Sequence, residues 1–429
     1  MHYENDLVKV MQTSKLAEGL KGSEIIKIAG EVRALKAKGD IIYNQTIGDF
    51  DASIFPIPNE LKEEIVSAYH NNQTNYPAAN GMEALRESVS SYLSKNLELE
   101  YSKNEILISG GARPLIYAVY QTILDLEDTV LYPVPSWNND AYTYLARNNA
   151  VIVETKPENK FMPTVGDIQP HIQHVNLIAL CSPLNPTGTT FDKQTLTEIS
   201  QLVVIENKRR AIQNIKPLYV LYDQIYWQLT YGTTKHYNPV ELVPEMRDYT
   251  IFVDGISKAF AATGVRVGWA FGPSHVIDKM KAMLSHIGAW APKAEQMATA
   301  SYLNQSEAVS NYLKHIKSEL DFRLNHFYEG FQELKSKGLP VNAIEPEAAL
   351  YLTVQFDLIG KKTSNGKILT TIQEVTSYLL IEAKLAIVPF YAFGTSIDSN
   401  WFRLSVGTSK KEDISTVFEL LKQALTDLS

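Results

Sequence analysis

The sequence predicts an α/β protein, a three-layer domain on a mostly parallel seven-stranded sheet joined to a smaller α+β domain. Three observations lead there. Seven short apolar runs rich in β-branched residues follow one another through the middle of the chain, each succeeded by turn residues and helical spacing. The runs are continuously apolar rather than alternating, so both faces of each strand are covered, as where crossover helices flank a parallel sheet. The pattern then gives way, near Leu303, to one long amphipathic stretch.

Taken in order, the first ~45 residues hold a helix, IIKIAGEVRALKAKG, expected to pack with the C-terminal part. The strands are EILIS at 105 to 109, TVLYPV at 129 to 134, AVIVE at 150 to 154, NLIALC at 176 to 181, LYVLY at 218 to 222, TIFV at 250 to 253 and VGWAF at 267 to 271. The polar, basic KRRAIQNIKP at 208 to 217 reads as a surface elaboration. From Leu303 to Lys337 the stripe Leu313, Ile316, Leu320, Phe327, Phe331 and Leu334 predicts one long helix passing between domains. A strand at 348 to 356, a helix around 370 to 384, the strand WFRLS and a helix after Lys410 follow, mixed without strict alternation. The expected domains are 49–312, and a small one assembled from 1–48 and 313–429.

Composition excludes several classes. With 429 residues there is room for two to three domains at roughly 150 residues each. Lys plus Arg total 40 against 48 for Asp plus Glu, and without a long basic run nucleic acid is not the expected partner. No charge-free stretch of about 18 apolar residues suggests a membrane span. The opening MHYENDLVKVMQTSK lacks the features of a signal peptide, so a cytoplasmic address is expected. The single cysteine, Cys181, can neither form an internal disulfide nor hold a metal alone, and no metal site is read. It ends the fourth run and is expected to be packed rather than catalytic.

Open parallel sheets bind ligands just beyond the carboxyl ends of their strands. After the run at 250 to 253 comes DGISKAFAATGVRVGWAFG, in which a lysine, small residues and a glycine-flanked arginine suit a site for a carbonyl and a phosphate together. Lys258 is either a surface lysine or an amine that forms a Schiff base, for which desolvation or a nearby cation favours the neutral form. Asp223, after the run at 218 to 222, either caps a helix or pairs with a protonated ring nitrogen, since an unpaired buried charge is costly. SPLNPTG presents Asn185 from a stiff turn. SGGARPLIYAVY turns into a helix whose first N–H groups can seat a phosphate. Trp137 is either a core indole or one that stacks on a flat ring. Arg403, in an apolar strand, needs an anion, either in a structural ion pair or in a bound carboxylate.

The set Tyr76-Pro, Gly81, Leu85-Arg86, Gly110-Gly111-Ala112, Pro135, Trp137, Asn185-Pro-Thr-Gly188, Asp223, Tyr226, Ser257-Lys258, Gly264, Arg266, Gly268 and Arg403-Leu-Ser resembles the pyridoxal-phosphate-dependent aminotransferases of fold type I. Within them it is similar to the class I/II family that contains aspartate aminotransferase, from about Gly48 to Gly407. The resemblance implies that Lys258 forms the internal aldimine with pyridoxal 5'-phosphate and shuttles the proton, and that Asp223 partners the pyridinium nitrogen. It implies Tyr226 and Asn185 on the ring hydroxyl oxygen and Trp137 stacked on the ring. The phosphate falls to the N–H groups of Ala112 and Arg113, to Ser257 and Arg266, and to Tyr76 from a partner subunit, which makes a homodimer. Arg403, with Asn185 and the backbone near Gly48, holds the substrate α-carboxylate. The expected activity moves an amino group between an α-amino acid and a 2-oxo acid. The alternatives are a lyase or cyclising enzyme of the same fold and, remotely, a non-catalytic cofactor-sensing regulator, for which no basic helix pair is seen.

Three positions depart from the family pattern. Gly255 stands where a serine usually touches the phosphate, a loss of roughly a kcal/mol. Phe390 replaces a glycine and is expected to narrow the substrate side of the pocket. Ala112 stands where some aspartate-preferring members carry a lysine for the distal carboxylate, which argues against an acidic donor.

Overall fold

The structure, a computed structural model, describes residues 13–20, 22 and 24–429; most of the opening segment read for a leader lies outside the described residues. The large sheet contains β1 (Ile106–Ser109), β2 (Thr129–Val134), β3 (Asn149–Glu154), β4 (Leu177–Cys181), β5 (Tyr219–Asp223), β6 (Thr250–Gly255) and β7 (Gly268–Phe271). Their order across the sheet is β1-β7-β6-β5-β4-β2-β3. All neighbours are parallel except β7, which runs antiparallel to both β1 and β6. The expected seven-stranded, mostly parallel sheet is therefore present.

Continuous apolarity has the expected cause. In β4, Leu177 and Ala179 pack on one face with Leu115 and Val119 of the Ala112–Ile123 helix and Met280 of the Ser274–Ile287 helix. Ile178 and Leu180 pack on the other face with Val89 of the Glu83–Leu97 helix and Leu196 of the Lys193–Ile212 helix. Period-two side chains thus serve two cores. Burial of each such side chain contributes about 1.5–3 kcal/mol.

A smaller antiparallel sheet contains β8 (Val341–Ala343), β9 (Tyr351–Phe356), β10 (Val388–Pro389) and β11 (Trp401–Ser405) in the order β10-β11-β9-β8. Leu352 and Val354 of β9 pack with Leu320, Leu324 and Phe327 of the Ser306–Ser336 helix. That helix serves both cores: Val309 belongs to the large-sheet core, and everything from Ile316 onward to the second. Val32 of the Glu24–Ala37 helix packs with Leu380 and Ala386, so this early helix meets the C-terminal part, as expected.

The long helix read from Leu303 to Lys337 is present as Ser306–Ser336, and a separate helix, Lys293–Leu303, precedes it across Asn304 and Gln305. The segment 208–217 is mostly exposed, as a surface stretch should be, but it is not an addition outside the regular structure. Its first half finishes the Lys193–Ile212 helix, and Arg210 is 2% exposed. Arg210 pairs with Glu206 at 2.6 Å and donates to the carbonyls of Ile172 and Val175 at 3.0 and 2.7 Å. A buried arginine whose acid lies one helical turn earlier has the same local spacing as an exposed pair.

Candidate active site

The parallel strands end together at a cavity of ≈ 560 Å³. Every site residue singled out in the sequence lines it except Tyr76: Gly48, Ala112, Arg113, Trp137, Asn185, Asp223, Tyr226, Ser257, Lys258, Arg266 and Arg403. Tyr76 is 83% exposed and stacks edge-on against Trp290, with ring centroids 5.4 Å apart. Asp223 is the last residue of β5 rather than the first after it, and it borders the cavity alongside Cys181, the last residue of β4.

Lys258 lies in the single turn Ile256–Ala259 that follows β6, and its Nζ donates to Gly48 O at 2.6 Å. Burial pulls its pKa down to about 8; the Asp49 carboxylate opposes this, and Arg403, Arg113 and Arg266 reinforce it. Asp49 is held in turn by the Thr263 hydroxyl at 2.7 Å. Asp223 is driven the other way, up to about 6, by burial, against the Ile225 N–H and the Lys258 charge. The Ile225 N–H, at 3.0 Å, is the only hydrogen-bond donor to its carboxyl group among the described residues.

Arg403 projects from β11 and is 2% exposed. Its Nη1 donates to Asn185 Oδ1 at 3.0 Å and its Nη2 to Thr46 O at 2.6 Å, while Nε is buried without a partner. No carboxylate pairs with it among the described residues, so the structural ion pair weighed from the sequence is absent. The guanidinium lies over the rings of Tyr351 and Phe393 at 4.8 and 4.9 Å. Tyr226 and Tyr351 share a hydrogen bond of 2.8 Å. Tyr351 was not anticipated; its signal was its place at the start of an apolar strand, where it shares a face with Thr353 and so with Arg403, which pairs with Thr353 in the register.

The start of the Ala112–Ile123 helix has the makings of an anion seat. Its cap, Gly111, has φ +91° and offers no side chain, leaving the first N–H groups open. A Cβ there would sit 2.3 Å from Arg266 Nη2, so the guanidinium rests directly on this turn. Arg266 is fixed by two neutral carbonyls, Thr263 and Gly110, each at 2.8 Å. A positive helix end and an uncompensated guanidinium together need an anion.

The departures acquire physical meaning. A Cβ at Gly255 would lie 2.8 Å from both Gly268 Cα and Val267 O, so this backbone has no room for the family's serine. Phe390 is fully buried with Phe161, Phe393 and Trp401, and it is not among the cavity-lining residues. Phe393, on which it packs, does not line the cavity either and lies behind Arg403, so the expected narrowing by Phe390 is not seen. Cys181 borders the cavity, its thiol donates to Pro183 O at 3.3 Å, and burial pushes its pKa up, which keeps it protonated.

A parallel sheet that brings a lysine amine, an unpaired carboxyl and a buried guanidinium without a carboxylate partner to one end is the arrangement expected of an enzyme of the aminotransferase type. The chain belongs to the aminotransferase class I and II family, whose model matches residues 44–419. It is 28% identical to the aspartate aminotransferase of Bacillus subtilis, over 93% of this chain and 95% of that one. It is likewise 28% identical to a probable aspartate/prephenate aminotransferase of Rickettsia typhi, over 92% and 94%. The fold matches the aspartate aminotransferase of Rhizobium meliloti with a TM-score of 0.88 and 25% identity, covering 97% of this chain and all of that one. An aromatic aminotransferase of Pyrococcus horikoshii matches at 0.79, also with 25% identity, over 93% and 98%. The chain is an aminotransferase, and its family uses pyridoxal phosphate.

The depressed lysine has a consequence for stability. The native pKa is about 8 and the ordinary value 10.5, so the unfolded chain binds more protons between those limits. Below pH 8 the full penalty of a buried ammonium is present; it fades as pH rises to 10.5. Lys258→Met should therefore stabilise the cofactor-free protein near pH 7, by on the order of 2–3 kcal/mol, and lose that advantage near pH 10. Urea midpoints at the two pH values check this, and an advantage that does not shrink would contradict the assignment.

Proposed function

We propose that Lys258 carries pyridoxal 5'-phosphate and that this cavity is where the chain moves an amino group between an α-amino acid and a 2-oxo acid. One observation carries the reading: an amine held near neutrality faces a buried carboxyl without a cation partner, beside an anion seat. The donor set fits the cofactor group by group. The phosphate would rest on the N–H groups of Ala112 and Arg113, on Ser257 and on Arg266. Asp223 would accept the hydrogen of a protonated ring nitrogen, which supplies the charge partner it lacks. Trp137 offers a flat face for the ring. Tyr226 can accept from Tyr351 and donate to the ring hydroxyl oxygen, because a phenol does both. Asn185 uses its Oδ1 on Arg403 and keeps its amide hydrogens for the same oxygen or for substrate.

When bound, the cofactor supplies a carbonyl open to amines and an electron-withdrawing ring. The chain's own groups do the rest. Arg403, steadied by Asn185 and Thr46 O, orients the substrate through its α-carboxylate, with the backbone near Gly48 alongside. Once an incoming amine has released it, Lys258 Nζ would take the proton from the substrate α carbon and pass it to the cofactor's former carbonyl carbon, a task for which an amine near neutral pH is matched. Asp223 stays ionised by pairing with positive charge.

The names of the relatives, aspartate, aspartate/prephenate and aromatic aminotransferases, set the candidate substrate range, and Ala112, in place of a lysine for a distal carboxylate, favours its non-acidic members. Ile25 and Trp137 in the wall, with Phe393 behind Arg403, support an aromatic side chain. We further propose the division into 49–312 and 1–48 with 313–429, supported by the change of core along the Ser306–Ser336 helix between Val309 and Ile316. The exposed Tyr76, outside its own cavity, supports a homodimer in which the partner subunit's Tyr76 reaches the phosphate seat.

Purified enzyme should be yellow, and borohydride should fix the cofactor on the peptide containing Lys258, with Lys258→Ala abolishing the adduct. An adduct on another lysine would overturn the assignment. Arg403→Leu should lower kcat/KM for every amino acid by about a hundredfold or more while leaving cofactor absorbance intact. Unchanged amino-acid binding would place the clamp elsewhere. Sedimentation should give a dimer whose Tyr76→Phe variant releases cofactor more readily; a monomeric active enzyme would exclude the shared site.

A further inference from the structure

Behind the catalytic loop lies a second cavity, ≈ 710 Å³, between the Glu83–Leu97 helix and the start of the Ser306–Ser336 helix. Its charge is opposite to that of the chain. Lys95, Lys314 and Lys317 line it, and no aspartate or glutamate does, in a protein of net charge −8. Lys95 is steadied by the Ser306 hydroxyl at 2.8 Å. Lys314 and Lys317, one turn apart, have no ion-pair partner among the described residues. Half-burial pulls the Lys317 ammonium below its ordinary pKa, with Asp321 pulling back along the helix. Uncompensated ammonium groups in a concave site raise the local concentration of anions.

The floor is aromatic. Tyr92 and Trp227 meet with ring centroids 6.0 Å apart, and Gln228 ties the two sides together by donating to the Tyr92 hydroxyl. This floor is also the back of the catalytic site. Trp227 and Gln228 directly follow Tyr226, and Trp227 Nε1 donates at 2.8 Å to Asp254, four residues before Lys258. Asp254 is 2% exposed and also takes the Gly255 N–H at 2.7 Å. A ligand that shifts the Trp227 indole therefore acts on both Tyr226 and the turn carrying Lys258.

We propose that this cavity is a second ligand site, for an aromatic carboxylate, with its carboxylate on Lys314 and Lys317 and its ring on Trp227 and Tyr92, and that its occupancy changes turnover at Lys258. The site lies outside the catalytic cavity, so it is separable from the reading of that cavity.

Indole-3-acetate, which has neither an amino nor an oxo group to react, is the probe, titrated calorimetrically into holoenzyme. Binding should persist in Arg403→Leu, which disables carboxylate capture at the catalytic site. It should weaken on the order of tenfold or more in Lys314→Ser/Lys317→Ser, through loss of two charge-assisted contacts. Acetate and inorganic phosphate at equal concentration should not displace it; equal displacement would refute the aromatic part. In wild type the probe should change kcat several-fold at saturating amino acid, and the double variant, with unaltered kcat and KM, should not respond. Binding indifferent to the lysine pair, binding lost with Arg403→Leu, or an unaltered kcat at full occupancy would each overturn the proposal.

Discussion

Everything around this active site depends on the burial of positive charge that the chain itself does not neutralise. Lys258 and Arg403 are buried at one cavity that the exposed Arg113 and Arg266 and a helix N-terminus also border, against the carboxylates of Asp49 and Asp223. In a medium of reduced dielectric such crowding is unfavourable unless charge is shed or anions arrive. The amine sheds charge, at about 8. The guanidiniums cannot, so they are anchored instead by neutral groups: Arg266 by the carbonyls of Thr263 and Gly110, Arg403 by Thr46 O and Asn185. Neutral anchoring fixes position without spending charge, which keeps both cations available for the phosphate and the carboxylate of the proposed cofactor and substrate.

The sheet makes this crowding possible at little conformational cost. Parallel strands β4, β5 and β6 are in register, with Cys181 opposite Asp223 and Asp223 opposite Val253, so the groups that follow them emerge side by side. The antiparallel β7 brings Gly268 against Gly255 and returns the chain so that Arg266 lies against Gly111. Glycine at 255 is thus tied to how closely β6 and β7 approach. In the proposed cofactor site that closeness excludes the phosphate contact a serine would make, and Ser257 and Arg266 would hold that end.

Much of this was legible in the sequence because its causes are local. Seven apolar runs announce covered strands, and a site residue placed just after a strand is reported by its neighbours along the chain. Asp223, Asn185, Lys258 and the glycine turn before Ala112 are all of this kind. What was missed depends on contacts between distant segments. Tyr351 meets Tyr226 across 125 residues, and Thr46 supplies a carbonyl to Arg403 across 357. Arg210 was misread because burial, unlike helical spacing, is set by what packs on top.

The same distinction explains why the reaction is plainer than the substrate. The proton transfer and carboxylate capture proposed for this site require particular groups at particular strand ends, and each leaves a mark in the sequence. The wall proposed to face a substrate side chain combines Ile25 in the early helix, Trp137 after β2 and Arg403, with Phe393, Phe390 and Trp401 packed behind. No single segment encodes that surface. Exchanging one apolar residue in it changes discrimination by only about 1–3 kcal/mol, too little to demand any fixed residue. Substrate choice is therefore a property of how the early helix, the β2 loop and the β10–β11 region meet, while the chemistry resides in the strand ends.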